Sequence, residues 1–300
     1  LKDVAVYMEQ NSIVDSKGFR RLEFSSSPEI YDNSLQAWFK DMTNYDLSLM
    51  HFLFGAGAEM ANELGIKTEA AHWNKLKSQL PDFDLDNEGS LTFAKGFPYN
   101  ASHRHFSHAL AIHPLGIIDW SDGEKAQRII RATLKKMNDY GPDYWTGYTY
   151  SWFANMQARA FNGEEAAKAL RTFAECFCLK NTFHANGDQS ASGKSKFTYR
   201  PFTLEGNFAF AAGIHEMLLQ SHTGVIRVFP AVPESWKNVS FNNLRAMGGF
   251  LVSAALKDGK VVRLEIYAEK GGRLAVFSPF EHKVVEYDTQ PGSRIDLAVE

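Results

Sequence analysis

Apolar residues recur at helical spacing along most of this chain and switch to strand-like runs near its end. Leu47, Met50, Leu53, Phe54, Ala58, Ala61 and Leu64 share one face of a helix predicted over 46–64. A shorter helix over 69–80 is stopped by Pro81, and one over 107–112 by Pro114 and Gly116. Ser121-Asp122 reads as the N-cap of a helix over 123–137. Helices over 151–161 and 164–178 form a pair, separated by Asn162-Gly163, which reads as a C-cap. The last helix runs over 207–220.

Beyond His222-Thr223-Gly224 the grammar changes. Runs over 225–229, 250–256 and 261–267 suit strands, and Lys257-Asp258-Gly259-Lys260 between the last two suits a hairpin turn needing positive φ. Gly271-Gly272 opens a further hairpin arm, and 294–299 is a final strand. The predicted fold class is therefore mainly α with a C-terminal β domain. Residues 1–222 form part of an α/α toroid or helical array, and 223–300 a small antiparallel β-sandwich. No fixed-period repeat underlies the toroid expectation.

Composition narrows the function. A formal net charge of -3 with scattered Lys and Arg argues against a polyanion binder, so nucleic acid is not an expected partner. No run of 18 apolar residues marks a membrane span. Cys176 and Cys178 lie two apart in a helical stretch, on different faces, which argues against a mutual disulfide and matches no zinc pattern. The chain opens at Leu1 with no charged start and apolar run of a signal peptide, so it looks like a processed chain or a piece of something longer. Aromatic residues reach 13%, and Trp145, Tyr148, Trp152 and Tyr199 sit among Gly, His, Asn and Ser, as rings that stack on sugars do.

Four segments carry candidate chemistry. Glu205-Gly206-Asn207 places a carboxylate and a carboxamide at the mouth of a long apolar helix, where free N–H groups keep an acid ionised and oriented. The plainer alternative is that Glu205 only caps that helix. Ser25-Ser26-Ser27-Pro28-Glu29 is a rigid loop presenting Glu29, or else Pro28-Glu29 opens a helix. His103-Arg104-His105-Phe106-Ser107-His108 invites a metal, yet Arg104 would set a permanent cation beside it. A cluster gripping hydroxyl groups, with Arg104 tied to a carboxylate, fits better, and a structural cluster stays open; neither metal nor cofactor is expected. Trp145-Thr146-Gly147-Tyr148-Thr149-Tyr150-Ser151-Trp152 precedes a helix, so its rings either line a sugar site or pack in the core.

Taken in order, these motifs resemble glycoside hydrolase family 95. The likeness continues through Ala158-Arg159-Ala160-Phe161-Asn162-Gly163, Leu204-Glu205-Gly206-Asn207-Phe208, Glu216-Met217-Leu218-Leu219-Gln220-Ser221, Phe229-Pro230-Ala231-Val232-Pro233, Trp236 and Leu244-Arg245-Ala246-Met247-Gly248-Gly249-Phe250. The family consists of inverting α-L-fucosidases and related α-L-galactosidases, with an N-terminal β domain, an (α/α)6 barrel and a C-terminal β domain. The resemblance implies a glycan substrate and a secreted, periplasmic or cell-surface bacterial setting. It puts Glu29 at the position of the general acid, its pKa expected to be raised by a partly apolar pocket. Glu205 stands where the family has an aspartate that polarises an asparagine base. His103, Arg104, His105, Tyr148, Trp152 and Asn207 are the implied sugar contacts.

Two departures stand out. Glu205 is one methylene longer than the family's aspartate, and residues 1–24 hold no counterpart of the asparagine pair. The chain is thus expected to start in mid-barrel, with an upstream segment of the same protein supplying the rest. Inverting hydrolysis needs acid and base about 6.5–9.5 Å apart, with water between. The alternatives are a homologue that binds carbohydrate without cleaving it, and an α/α-toroid polysaccharide lyase using His and Tyr.

Overall fold

The computed structural model describes residues 1–297 and falls into two compact units, Leu1–Trp145 and the chain from Thr146 onward. The first unit carries helices α1 (Lys2–Gln10), α2 (Asn44–Glu63), α3 (Lys67–Ser78) and α4 (Glu124–Tyr140). Short strands pair between them: β1 (Ile13–Val14) with β2 (Arg20–Arg21), β3 (Ser25–Ser26) with β4 (Trp38–Phe39), and β5 (Thr92–Ala94) with β6 (Phe97–Pro98). Thr43 starts α2 by accepting the Asp46 N–H on its hydroxyl at 3.2 Å. Most of the predicted apolar stripe is its buried face: Leu47, Met50, Leu53, Phe54, Ala58 and Ala61 join Ala70, Trp73 and Leu76 of α3 in one core. Leu64, placed on that stripe by the sequence, lies past the helix end and is exposed. Phe54 and Trp73 stack across it with centroids 6.2 Å apart.

Local expectations fail in instructive places. The segment 107–112 makes only a 3-10 turn, Ser107–Ala109, because Pro114 leaves no room for further turns. Ser121 and Asp122 do not cap α4. They lie in a 3-10 turn, Trp120–Asp122, whose cap is Asp119, and α4 is entered from Gly123 at φ 95°.

The second unit opens with α5 (Gly147–Arg159), α6 (Gly163–Cys176) and α7 (Glu205–Leu218). The start of α5 precedes the predicted one, since the Thr146 N–H donates to Thr149 Oγ1 at 3.0 Å and closes a cap there. The aromatic run Gly147–Trp152 is thus helix, not a loop before it. Asn162 likewise opens α6, accepting the Glu165 N–H, instead of closing α5; Phe161 takes the left-handed turn between them at φ 56°. Cys176 is buried at the end of α6, Cys178 lies past it, and both are free thiols.

His184 sits between the first turns of α5 and α7. A Cβ on Gly147 would lie 2.4 Å from its Nε2, and one on Gly206 would lie 2.5 Å from its Nδ1. The imidazole is fully buried and its Nδ1 is held by the Thr203 carbonyl (3.1 Å) and hydroxyl (2.9 Å). Glycine is needed at both helix starts for that close approach.

The remainder is β structure: β7 (Leu219–Gln220), β8 (Val225–Val228), β9 (Val239–Ala246), β10 (Phe250–Lys257), β11 (Lys260–Ala268), β12 (Gly272–Ser278), β13 (Lys283–Thr289) and β14 (Arg294–Leu297). Two four-stranded sheets, ordered β14-β11-β10-β9 and β13-β12-β8-β7, share a core that includes Val252, Leu264, Ile266, Ile226, Leu274 and Val276. The β10–β11 turn has Asp258 at φ 50° and Gly259 at φ 78°, as its sequence requires. One pairing departs from the antiparallel expectation: β8 and β12 run parallel, Val225 opposite Ala275. The last predicted strand is described to Leu297, and its end falls outside the described residues. Among the described residues no helix is long and apolar enough to cross a membrane.

Gly206→Ala is expected to destabilise the fold by about 1–3 kcal/mol in denaturant unfolding, because a pinned ring cannot yield to the added methyl. Gly55→Ala in α2 meets only the flexible end of Lys77, at 3.3 Å, and is expected to be neutral or to gain up to about 1 kcal/mol.

Candidate functional site

Glu29 is delivered by a segment tied down one residue at a time. Ser25 Oγ donates to Asp46 Oδ2 at 2.6 Å and accepts the Thr43 N–H at 2.9 Å, fixing β3 to the start of α2. Burial pushes the Asp46 carboxyl above its ordinary value, against the bonds from Ser25 and the Ser26 backbone. Ser27 Oγ meets Ser107 Oγ at 2.6 Å, both buried, joining the segment to the histidine loop. Pro28 follows, and Glu29 takes a left-handed conformation at φ 56°, ψ 10°. The helix that Pro28-Glu29 might have opened is only a 3-10 turn, Ile30–Asn33, with Tyr31 and Asp32 also left-handed. Non-glycine residues hold such angles only where surroundings impose them.

The histidine loop supplies the surroundings. Arg104 Nη2 donates to Glu29 Oε2, and His105 Nε2 stands 3.0 Å from the same oxygen. Arg104 is thus tied to a carboxylate as the sequence suggested, but the expected upward shift of Glu29 is overturned. Burial does raise its pKa, yet the charges and hydrogen bonds of His105 and Arg104 together outweigh burial and hold the carboxyl below its ordinary range. His105 itself is pushed down, chiefly by burial, with Glu29 opposing.

His103 faces backbone. Its Nδ1 lies 3.1 Å from the His105 N–H and its Nε2 3.3 Å from the Glu29 carbonyl. His108 is fully buried against Phe93 (4.7 Å) and Tyr99 (5.1 Å), and burial pushes its pKa down to about 3. Among the described residues no cluster of three His, Cys, Asp or Glu side chains placed to hold a metal ion occurs.

In the second unit Glu205 is the exposed first residue of α7, beside the free N–H groups of that turn. Tyr148 is half-buried, and its pKa is raised by burial and then by the charge of Glu205. Trp152, one turn along α5, has its ring 5.6 Å from that of Tyr148 but is only 8% exposed. Asn207 is occupied by structure: its Oδ1 accepts the His184 N–H and its Nδ2 donates to the Thr182 carbonyl, both at 2.9 Å. Within Glu205-Gly206-Asn207, the glycine admits His184, the asparagine pins the loop before it, and Glu205 is exposed.

Glu29, His103, Arg104 and His105 are thus brought together in the first unit, and Glu205, Tyr148 and Trp152 in the second. Asp46 and His184 escaped sequence reading because each is a single polar residue in an otherwise ordinary stretch. A cleft of about 920 Å³ in the β domain, lined by Phe229, Trp236 and Phe277 among others, contains none of these residues.

Residues 1–218 match the family model "Glycosyl hydrolase family 95 catalytic domain", and 220–296 match "Glycoside hydrolase family 95, C-terminal domain". "Alpha-L-fucosidase 2" of Arabidopsis thaliana is 31% identical over 232 residues, 75% of this chain and 27% of the plant protein. "Probable alpha-fucosidase A" of Aspergillus niger is 23% identical over 247 residues, 78% of this chain and 28% of the fungal protein. The chain spans about a quarter of the length of these curated relatives. With family models covering both its helical part and its β domain, the chain belongs to glycoside hydrolase family 95.

Proposed function

We propose that the protein hydrolyses terminal α-L-fucosyl or α-L-galactosyl linkages in glycans with inversion, Glu29 being the general acid. The observation that carries this reading is the Glu29 carboxylate, carried on a left-handed backbone and gripped by Arg104 and His105. The two fucosidases that the chain is similar to support the sugar class. Protonation of the leaving oxygen breaks the glycosidic bond while water adds from the opposite face of the sugar ring. Arg104 and His105 donate to sugar hydroxyls once the substrate is seated.

A general acid must hold a proton, and the free protein favours the ionised form of Glu29. The proton is therefore acquired as the sugar binds. Excluding water strengthens the burial that already pulls the pKa up, and sugar hydroxyls draw the two donors away from the carboxylate. A homologue that binds sugar without cleaving it is the second reading, favoured by that same ionised state. Calorimetry with fucosides beside a hydrolysis assay separates the two, since only the hydrolase releases product.

Glu29→Gln in the full-length protein is expected to lower kcat on an unactivated fucosyl disaccharide by about 10²–10⁴-fold with little change in KM. Proton NMR of the first product of the parent protein should show the β-anomer. Full activity of the variant removes Glu29 from the role, and an α-anomer removes inversion. Arg104→Met takes away one charge that lowers the Glu29 pKa, so the basic limb of the kcat/KM profile should move to higher pH. In the parent protein that limb should lie below the corresponding limb of kcat, which reports the substrate complex.

A further inference from the structure

We propose that His103 is a positioning residue and not a sugar contact: its neutral ring clamps the left-handed Glu29 backbone and the His105 backbone at once. Glu29, Arg104 and His105 are thereby held as one unit. The inference rests on the reading of Glu29 as the general acid.

The tautomer follows from the partners. The His105 backbone N–H can only donate, so Nδ1, 3.1 Å away, presents its lone pair. The Glu29 carbonyl can only accept, so Nε2, 3.3 Å away, carries the hydrogen. Nδ1 also lies 3.3 Å from the His105 carbonyl. A hydrogen on Nδ1 would leave two lone pairs facing each other at Glu29 and forfeit the shorter bond, so the Nε2–H form prevails. Burial, and the charge of Arg104 beside it, push the ring further toward the neutral state. With both nitrogens engaged, His103 has none left for a sugar hydroxyl.

The clamp explains the backbone. Glu29 sits at φ 56°, an angle a residue with a side chain adopts only under constraint, and its carbonyl is what the ring holds. Between the two bonds the ring fixes the distance from the Glu29 backbone to the His105 backbone. The Glu29 carboxylate and the His105 imidazole, 3.0 Å apart, depend on that distance. Freed of the clamp, the acid would move relative to its neighbours, and a displacement near 1 Å costs on the order of a hundredfold in rate.

Two variants dissect the two bonds. In His103→Asn the terminal amide reaches the place of Nδ1 and keeps an acceptor for the His105 N–H, but the donor to Glu29 is lost. In His103→Gln the amide reaches the place of Nε2 and keeps that donor. Each full-length variant, with Glu29→Gln, is assayed on a fucosyl disaccharide and on dinitrophenyl α-L-fucoside, whose leaving group departs without a proton. The expected result is a fall in kcat of about 30–100-fold for His103→Asn on the disaccharide, less than threefold on the dinitrophenyl substrate, and KM within threefold on both. His103→Gln should stay within about tenfold of the parent on either. Equal losses on the two substrates, or a loss lying in KM, would mark His103 as a sugar contact and overturn the proposal, as would full activity of His103→Asn. If that variant does not fold, a loss beyond tenfold for His103→Gln on the disaccharide alone overturns it. Glu29→Gln is the control on the underlying reading: equal losses there defeat the general-acid role itself, whereas a selective loss there with none for His103→Asn defeats only the clamp.

Discussion

One carboxylate held between a guanidinium and an imidazole organises the first unit. Glu29 and Arg104 are 75 residues apart, and each comes from a segment without regular secondary structure. Loops of this kind take a defined shape only if other contacts replace the missing helix or sheet bonds. Here those contacts are hydroxyls: Ser25 on Asp46 and Thr43, Ser27 on Ser107, each pair buried or nearly so. A packed helix pair, α2 on α3, gives the hydroxyl network a rigid base, and the charged cluster sits on top.

The competition between burial and charge is visible on either side of that network. Asp46 and Glu29 are both carboxyls removed in part from water, and burial raises the pKa of each. Asp46 has hydroxyl and amide partners, which do not offset burial; Glu29 has the Arg104 guanidinium and the His105 imidazole, which together do. The neighbours, not the depth, decide which of the two stays charged. This is the reason an apolar pocket alone was a poor guide to the state of Glu29.

Much of the architecture was legible in the chain. The stripe from Leu47 to Ala61, the Asp258-Gly259 turn and the change of pattern after Gly224 each follow from a period or a turn requirement that is local. Boundaries were less legible where two caps compete: Asn162-Gly163 suits a helix end as well as a start, and only packing of Gly163 against Ala231 and Val232 shows which applies. In the candidate site, the pairing of Arg104 with a carboxylate could be inferred from charge. The duties of His103 and Asn207 could not, because an imidazole or a carboxamide that holds backbone looks, in sequence, the same as one that holds a ligand. The parallel pairing of β8 was equally hidden, since a strand's partner is set by distant residues and not by its own pattern.

That parallel pair bears on the order in which the β domain assembles. Strands β9, β10 and β11 meet one another through short turns and can zip as they leave the ribosome. Strand β8, central in its sheet, has only two-residue β7 at one edge and must wait for Val276, fifty positions later, at the other. Closing so large a loop before any reward is slow. The nascent chain therefore carries Val225–Val228 as an open edge, a natural place for a chaperone to grip and for truncated products to aggregate.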